Sequence, residues 1–269
     1  MTELVVRGCR GSMSVSGPEY RRYGGNTTCF EVAVSPTEWL IVDAGTGLRA
    51  VQYEMGEGPH RITFALTHFH WDHIQGLPVF DPLFRGGSSI AFHGPAADDA
   101  QVEAHLDGVI RPPWFPVSLA EAEADISFHA LDGPIRVGPI AVTHVSGHHP
   151  QGVAAYRIES ADRSIVIVTD HEAGDTEADA RITAFAEGAD VLFHDGQYTP
   201  EEAHGDRRGW GHSSWEAAVR MARAARVQRL VLTSHDPDRT DDGVDWIRGL
   251  ARQEFPRTDA AFEGMRIDL

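Results

Sequence analysis

The chain has 269 residues, of which 42% are hydrophobic and 23% are charged. This composition is typical of a globular protein that buries a sizeable core, so the fold does not need disulfides to hold it together. The formal net charge of −17 disfavours a large polyanionic substrate such as nucleic acid, whereas a small anionic substrate that reaches bound metal ions is compatible with it.

The cysteine content and the first residues indicate where the protein works. The two cysteines, Cys9 and Cys29, are too few for a thiolate metal site and suit a reducing compartment, where we expect them to be buried structural thiols. Residues 1–7 predict a strand and have neither the basic start nor the apolar run of a signal peptide. No apolar stretch of the sequence is as long as a membrane span. We therefore expect a cytoplasmic protein without a membrane partner.

In chain order, short apolar runs rich in valine and isoleucine predict strands, and glycine, proline or aspartate flank them. The predicted strands are Leu4–Gly8, Thr28–Val34, Trp39–Asp43, Ile62–Thr67, Ile90–His93, Ile126–Ala130, Ile140–Val145, Gly152–Ile158, Ser164–Thr169, Val191–Asp195 and Arg229–Ser234. The predicted helices are Gly47–Met55, Asp98–Gly108, Ala178–Glu187, Ser214–Ala225 and Asp242–Glu254. Both halves of the chain contain strand-then-helix runs, and no linker separates them. This order predicts one domain over residues 1–269, with two sheets packed face to face and helices outside.

The densest group of candidate metal ligands follows the predicted strand Ile62–Thr67. Four side chains within six residues could bind a metal: His68, His70, Asp72 and His73. His68 and His70 alternate with apolar Phe69, which points both imidazoles to one side as the chain leaves the strand. Zinc and related ions prefer this mixture of imidazole and carboxylate ligands. The alternative is a solvated histidine-rich loop, which the apolar flanks disfavour.

Three later strand ends carry candidate ligands in the same way. Asp170 follows a fully apolar strand, where a buried carboxylate is costly unless it is paired or bound to metal. His235 follows the last predicted strand, and His148 and His149 follow the strand that ends at residue 145. Each residue taken alone fits a polar strand end that faces solvent equally well. Their recurrence beside the first group indicates a single metal centre.

At these residues the sequence resembles the metallo-β-lactamase superfamily, and the resemblance covers nearly the whole chain. The specific motif is H-x-H-x-D-H, from His68 to His73. Within the superfamily the chain looks most like the ribonuclease Z and phosphodiesterase branch, which has a histidine seven residues before the tyrosine of a Gly-Tyr pair. Here His149 lies seven residues before Tyr156, although Ala155 replaces the glycine. Three further features of the branch are present in order, namely an aspartate after an apolar strand, a His-Ser motif that opens a helix and a last histidine: Asp170, His212-Ser213 and His235.

The resemblance implies an α/β fold, specifically a four-layer αββα sandwich in which helices flank two mixed β-sheets. It also implies two metal ions bridged by Asp170. The ligands implied for the first ion are His68, His70 and His149, with His148 as the alternative to His149. The ligands implied for the second ion are Asp72, His73 and His235. Zinc suits a site so rich in histidine, and manganese or iron fits the same ligands.

A pair of divalent ions implies hydrolysis by a metal-bound hydroxide, because two cations lower the pKa of a shared water and neutralise charge on a phosphoryl oxygen. Attack on phosphorus expels an alkoxide. The resemblance assigns assistance of this leaving group to His212, at the start of the predicted helix Ser214–Ala225, and the alternative is a helix-capping or core histidine. Asp72 could also orient the attacking water. His194 and Asp195 either support His212 and the metals or are ordinary strand-end polar groups.

Together these features predict a dinuclear metal-dependent phosphodiesterase that acts on a small phosphodiester such as a cyclic nucleotide. The negative charge, and the lack of the long Gly/Pro-rich arm with which relatives grip transfer RNA, favour this function over a nuclease of the ribonuclease Z type that acts on RNA or DNA ends. A lactone or thioester hydrolase is a further alternative, because the same metals polarise a carbonyl group. A non-catalytic metal-binding scaffold is the last alternative. For the assembly we expect a homodimer.

Overall fold

The structure, a computed structural model, describes residues 2–269. In chain order the strands are β1 (Glu3–Gly8), β2 (Cys29–Ser35), β3 (Glu38–Val42), β4 (Arg61–Ala65), β5 (Ser89–Gly94), β6 (Asp125–Ala130), β7 (Ile135–Val137), β8 (Ile140–Ser146), β9 (Ala154–Glu159), β10 (Ser164–Val168), β11 (Val191–Asp195), β12 (Arg229–Thr233), β13 (Thr258–Ala260) and β14 (Arg266–Asp268). The α-helices are α1 (Leu48–Met55), α2 (Trp71–Ile74), α3 (Asp99–Asp107), α4 (Thr176–Phe185), α5 (Pro200–His204), α6 (Trp215–Ala224) and α7 (Asp241–Glu254). In the part of the chain from residue 2 onward, each helix is too short or too polar to span a bilayer.

Two mixed sheets of seven strands each form the centre of the molecule. The first has the order β14-β1-β2-β3-β4-β5-β6, and the second has the order β13-β12-β11-β10-β9-β8-β7. In the first sheet β3 to β6 are parallel, and in the second sheet β10 to β13 are parallel. Parallel neighbours end at the same edge of a sheet. The loops that carry the predicted ligands therefore leave the two sheets along a shared edge.

The two sheets pack against each other through one apolar core. Phe30 of β2 meets Phe193 of β11 with their ring centroids 5.1 Å apart, and aliphatic side chains of both sheets surround this pair. A second core lies between the first sheet and helices α1 and α3. A third core lies between the second sheet and helices α4, α6 and α7. The order of layers is helix, sheet, sheet, helix, which confirms the predicted αββα sandwich.

Every predicted strand and helix is present, with ends that differ from the prediction by at most two residues. The sequence analysis did not predict the three short edge or near-edge strands β7, β13 and β14, nor the short helices α2 and α5. Each of these elements has only three to five residues. Such a segment is too short for a periodic pattern, and it forms because a neighbouring strand or loop pairs with it.

Both cysteines are fully buried, which leads to a direct chemical prediction. Burial raises the pKa of the Cys9 thiol to about 12 and raises the pKa of Cys29 well above its ordinary value. Thiolates are the reactive form of cysteine. We expect the folded protein to release no thionitrobenzoate from Ellman's reagent at pH 8, and the protein unfolded in urea to release two equivalents. Rapid reaction of either thiol in the folded protein would contradict this.

Candidate metal centre

Three strand-end residues that line the centre have an unusual backbone conformation. Asp43 follows β3, Asp170 follows β10 and Ser234 follows β12, with φ values of 59°, 52° and 56°. Left-handed backbone is unfavourable for residues other than glycine and persists where the surrounding structure holds it. In a fold of this size, three such residues along one edge mark that edge as a candidate functional site.

Three of the predicted ligands, His68, His70 and His149, form a compact group of imidazoles. Their ligand atoms lie within 4.8 Å of one another, and His149 Nε2 is 3.0 Å from His70 Nδ1. His68 Nε2 is buried and has no hydrogen-bond partner among residues 2–269. An unpaired buried nitrogen costs free energy, so this group fits a divalent cation that the three nitrogens would share.

Hydrogen bonds through the other ring nitrogen fix the orientation of these three histidines and of the nearby His73. The partners are Thr67 Oγ1 for His68 (3.1 Å), Gln151 Oε1 for His70 (2.8 Å), Gly211 O for His149 (2.7 Å) and Asp43 Oδ2 for His73 (2.8 Å). Because a carbonyl oxygen only accepts, His149 Nδ1 is the donor to Gly211, and its Nε2 turns a lone pair toward the centre. Burial lowers the pKa of His149 to about 4, so this imidazole is neutral and able to bind metal at neutral pH.

Asp170 lies at the middle of the group. Its Oδ2 is 3.1 Å from His73 Nε2 and 3.7 Å from His68 Nε2. Asp72 Oδ2 is 3.3 Å from the same nitrogen of His73 and accepts a hydrogen bond from Ser12 N at 2.8 Å. Burial opposes charge on His73, but Asp170, Asp72 and Asp43 outweigh it and raise the pKa of His73 well above its ordinary value. This excess of carboxylate charge is suited to a cation.

Asp43, at the end of β3, supports the loop that carries the histidines. Its carboxylate accepts hydrogen bonds from Thr67 N at 2.7 Å and from Thr67 Oγ1 at 2.8 Å. The hydroxyl of buried Tyr156 donates to Leu66 O at 2.6 Å. Contacts from both sheets therefore fix the end of β4, and they set the direction in which the His68 side chain projects.

The structure does not bring His235 into the group with the other predicted ligands. His235 Nε2 donates to Ala261 O at 2.9 Å, and its ring packs edge-on against Tyr23. Burial, with Arg10 and Arg239 nearby, lowers the pKa of His235 to about 3. Ser234 faces the centre instead, and its hydroxyl donates to Asp170 Oδ1 at 3.2 Å. The left-handed backbone of Ser234 turns its side chain toward Asp170, so the side chain that faces the centre lies one residue before the expected ligand.

His212 and Asp195 form a buried pair that faces the centre. His212 Nδ1 donates to Asp195 Oδ2 at 2.6 Å, and Nε2 lies 4.0 Å from Asp170 Oδ2. Asp195 also accepts from the backbone N–H of Ser213 at 3.0 Å and of Gln197 at 3.1 Å. Burial alone lowers the pKa of His212, but Asp195 and Asp170 outweigh it and raise this pKa to about 9. The pair can present a proton at Nε2 toward the metal positions.

Local sequence places His212. Ser214 caps α6 by accepting a hydrogen bond from Ala217 N at 3.2 Å, and α6 packs its apolar face on the second sheet. His212 precedes this cap by two residues, so the first turn of α6 and the end of β11 fix it together. The alternative role of His212 as a capping residue does not match the structure, because Ser214 is the cap.

The other candidate histidines lie outside the group. His148 is exposed, and its Nδ1 donates to Glu172 O at 3.1 Å, so His149 is the one of the two that faces the centre. His194 points into the core under α6, with Nε2 3.2 Å from Met221 Sδ. Of the pair His194 and Asp195, only Asp195 therefore supports the centre. The sequence analysis missed Ser234 and Gln151, which belong to no ligand type that a pattern search singles out.

Two clefts open beside the centre. The larger has a volume of about 720 Å³, and its lining includes side chains of both charges: His148, His149, Glu172, Asp175, His204 and Arg208. The smaller has a volume of about 240 Å³, and the residues that line it include His68, Phe69, His70, His105 and Gln151. A substrate in either cleft would directly contact histidines that are predicted to bind metal.

Gly211 is predicted to be indispensable for the first group of histidines. Its φ is +90°, and a Cβ there would lie 2.1 Å from His149 Nδ1. Gly211→Ala should displace His149 and weaken metal binding by about 10- to 100-fold, measured by competition with a chelator. Gly209→Ala is a matched control, since φ is +82° and a Cβ there would have nothing within 4 Å. Equal affinities in the two variants would contradict the prediction.

Comparisons with known proteins agree with this geometry. Residues 38–235 match the family model of the beta-lactamase superfamily domain. The ribonuclease Z of Brevibacillus brevis is 25% identical over an alignment that covers 83% of this chain and 85% of that protein. The metallo-beta-lactamase fold protein YhfI from Bacillus subtilis superposes with a TM-score of 0.72, at 20% identity, over the full length of both chains. A diphosphatase from the PhnP family gives the same TM-score at 18% identity and covers 100% of this chain and 98% of that one.

The family match spans well over half of the chain and includes the H-x-H-x-D-H motif, and the similarity to ribonuclease Z is the one that the sequence predicted. Both solved structures share the four-layer fold. The predicted resemblance and the predicted enzyme class are therefore confirmed. The chain belongs to the beta-lactamase superfamily and is a hydrolase of the metallo-β-lactamase fold.

Proposed function

We propose that the chain hydrolyses a small phosphodiester with the help of two divalent metal ions. The observation that carries this proposal is the His212–Asp195 pair, which places a protonated imidazole 4.0 Å from Asp170. A phosphodiester with an alkoxide leaving group needs a proton at the bond that breaks. Hydrolysis of an activated carbonyl compound such as a thioester needs no such donor, because a thiolate leaves readily.

The side chains divide the work between binding and proton transfer. His68, His70 and His149 would hold one ion, Asp72 and His73 would hold the other, and Asp170 would contact both. When bound, such a pair of ions supplies an activated water and neutralises charge on the phosphoryl oxygens. His212 donates the proton from Nε2 to the leaving oxygen, while Asp195 holds the imidazole by Nδ1. Asp72, fixed by Ser12 N at 2.8 Å, can accept a hydrogen bond from the attacking water.

The dimensions and charge of the clefts favour a small substrate. A volume of about 720 Å³ lies within the range of pockets for small molecules, roughly 300–1,000 Å³. Glu172 and Asp175 in its lining repel the phosphates of a long polyanion, while Arg208 on the same wall can pair with one of them. A cyclic nucleotide fits within this volume and has a single phosphodiester charge.

A nuclease of the ribonuclease Z type is the second candidate. The curated relatives that the chain matches over most of its length have that name, as in Brevibacillus brevis and Haloferax volcanii. Cleavage at the end of an RNA chain would use the same metal ligands and the same proton donor. The net charge of −17 opposes RNA binding, so this function would require a local basic patch on the surface.

The test is a side-by-side assay of bis(p-nitrophenyl) phosphate, a 2′,3′-cyclic nucleotide, a lactone, a thioester and an RNA with a 3′ extension, each with zinc or manganese. We expect turnover of the first two substrates, with little of the others. Turnover of the lactone or thioester alone would instead support a function in the hydrolysis of carbonyl compounds. Preferential cleavage of the RNA would support the ribonuclease Z function. If the metal-loaded protein turns over none of these substrates, the result would support a non-catalytic metal-binding scaffold.

A further inference from the structure

We propose that the two metal positions are unequal, and that Ser234 is the cause. The first position holds a zinc ion tightly, whereas the second binds an exchangeable, harder cation such as Mn²⁺. This inference rests on the proposed function, since it concerns the same pair of ions. The inequality follows from a comparison of the donor atoms that the side chains facing the centre offer to each position.

The first position has a complete set of donors. Three imidazole nitrogens, from His68, His70 and His149, lie within 4.8 Å of one another, and Asp170 Oδ2 is 3.7 Å from His68 Nε2. Each imidazole is held by a hydrogen bond through its other nitrogen. Three nitrogens and one carboxylate, already oriented, are the arrangement that zinc prefers.

Among residues 2–269, the second position lacks a fourth strong donor, because His212, which also faces the centre, is paired with Asp195. Asp72 and His73 face it, together with Asp170. The next side chain that faces this position is Ser234, whose hydroxyl donates a hydrogen bond to Asp170 Oδ1 at 3.2 Å. The adjacent imidazole of His235 is turned to Ala261 O, 2.9 Å away. A neutral hydroxyl is a much weaker zinc ligand than an imidazole, and here it is also engaged with a carboxylate.

The backbone at Ser234 keeps this arrangement in place. Its φ of 56° turns the serine side chain toward Asp170. The peptide that follows is fixed on both sides, since His235 N donates to Cys9 O at 2.9 Å and Gly11 N donates to His235 O at 3.0 Å. Exchanging the directions of Ser234 and His235 would break both hydrogen bonds.

The chemistry of the two donor sets also differs. The first is dominated by nitrogen, and the second has two carboxylates, one imidazole and a hydroxyl. Oxygen donors favour harder ions such as Mn²⁺ and Mg²⁺, while imidazoles favour Zn²⁺. An open place at the second ion also leaves room for a substrate oxygen. The exchangeable ion is therefore the one that the substrate would contact with least competition from the protein.

The experiment measures metal binding rather than turnover. The metal-free protein is loaded with excess Zn²⁺ or Mn²⁺, dialysed against metal-free buffer and analysed by inductively coupled plasma mass spectrometry. We expect one zinc to be retained per chain and a second ion to bind at least about tenfold more weakly in a calorimetric titration. Electron paramagnetic resonance of the protein with one zinc should report Mn²⁺ at the second position.

Two variants test the assignment to Ser234. His235→Gln, which keeps a donor for Ala261 O, should leave both affinities unchanged. Ser234→His should tighten the second site by at least about tenfold, and Ser234→Asp serves if the histidine disrupts folding, since aspartate tolerates left-handed backbone better. Two zinc ions retained equally by the original protein, or a weaker second site in His235→Gln, would overturn the inference. Neither result would affect the proposed hydrolysis, which is assayed with both positions saturated.

Discussion

Replacing Asp170 by alanine is expected to abolish the binding of both metal ions and to lower kcat by about a thousandfold or more. The carboxylate lies within 4.0 Å of three imidazoles, those of His68, His73 and His212, and it is almost fully buried. No other carboxylate is placed to contact both metal positions among the residues that the structure describes. Loss of metal-based stabilisation is worth several kcal/mol of the activation barrier, and each 1.36 kcal/mol is a factor of ten in rate.

Asp170→Asn separates loss of metal from loss of folding. The amide has the shape of the carboxylate and can still accept the hydrogen bond from Ser234, but it lacks the negative charge. We expect a folded protein, by circular dichroism and thermal unfolding, that retains less than one ion per chain and has a kcat as low as that of the alanine variant. A fully active asparagine variant with two bound ions would show that another group bridges the positions.

The sequence was sufficient to predict the layers of the fold because its core strands are strongly patterned. Ser164–Val168 is buried at every position. A short apolar run rich in isoleucine and valine, such as this one, predicts a central strand. By contrast, β14 (Arg266–Asp268) alternates exposed and buried residues over only three positions. Its pairing with β1 depends on a partner more than 250 residues away in the chain. No local pattern reports such a contact.

The candidate centre was predictable wherever ligands cluster in the chain, and less so where it depends on the conformation of a single residue. His68 to His73 lie together in the sequence, so their convergence needs only the end of β4. The choice between Ser234 and His235 depends on one left-handed residue at the end of β12, with φ 56°. The family motif therefore identified the loop, and the structure turns Ser234 rather than the predicted ligand His235 toward the centre.

The pairing of His212 with Asp195 is a second feature that the sequence could not predict. Asp195 ends β11 and His212 precedes α6, and 17 residues separate them. The sequence placed each at the end of an element but left open whether Asp195 supports anything. The structure resolves this through three hydrogen bonds to one carboxylate, from His212 Nδ1 and from the N–H groups of Ser213 and Gln197. A buried aspartate with this set of donors is an orienting group for the histidine.

Replacing His212 by alanine should lower kcat by about 10²- to 10⁴-fold on a substrate with an alkoxide leaving group, and metal content should not change. The imidazole is the buried proton donor that faces the centre, with Nε2 4.0 Å from Asp170 Oδ2. On bis(p-nitrophenyl) phosphate the loss should be much smaller, because p-nitrophenolate leaves without a proton. The measurement is kcat for both substrates, together with the ions bound per chain.

Asp195→Asn tests whether the carboxylate positions and charges His212. Asp195 raises the pKa of His212, and the acid is active only while it is protonated. Without that carboxylate the pKa falls, so the activity that is lost as pH rises should be lost at a lower pH than in the original protein. The pH profile of kcat shows this shift, which a purely structural role would not produce. Equal losses on both substrates in His212→Ala, with an unshifted profile in Asp195→Asn, would mean that the pair holds the loop before α6 in place and transfers no proton.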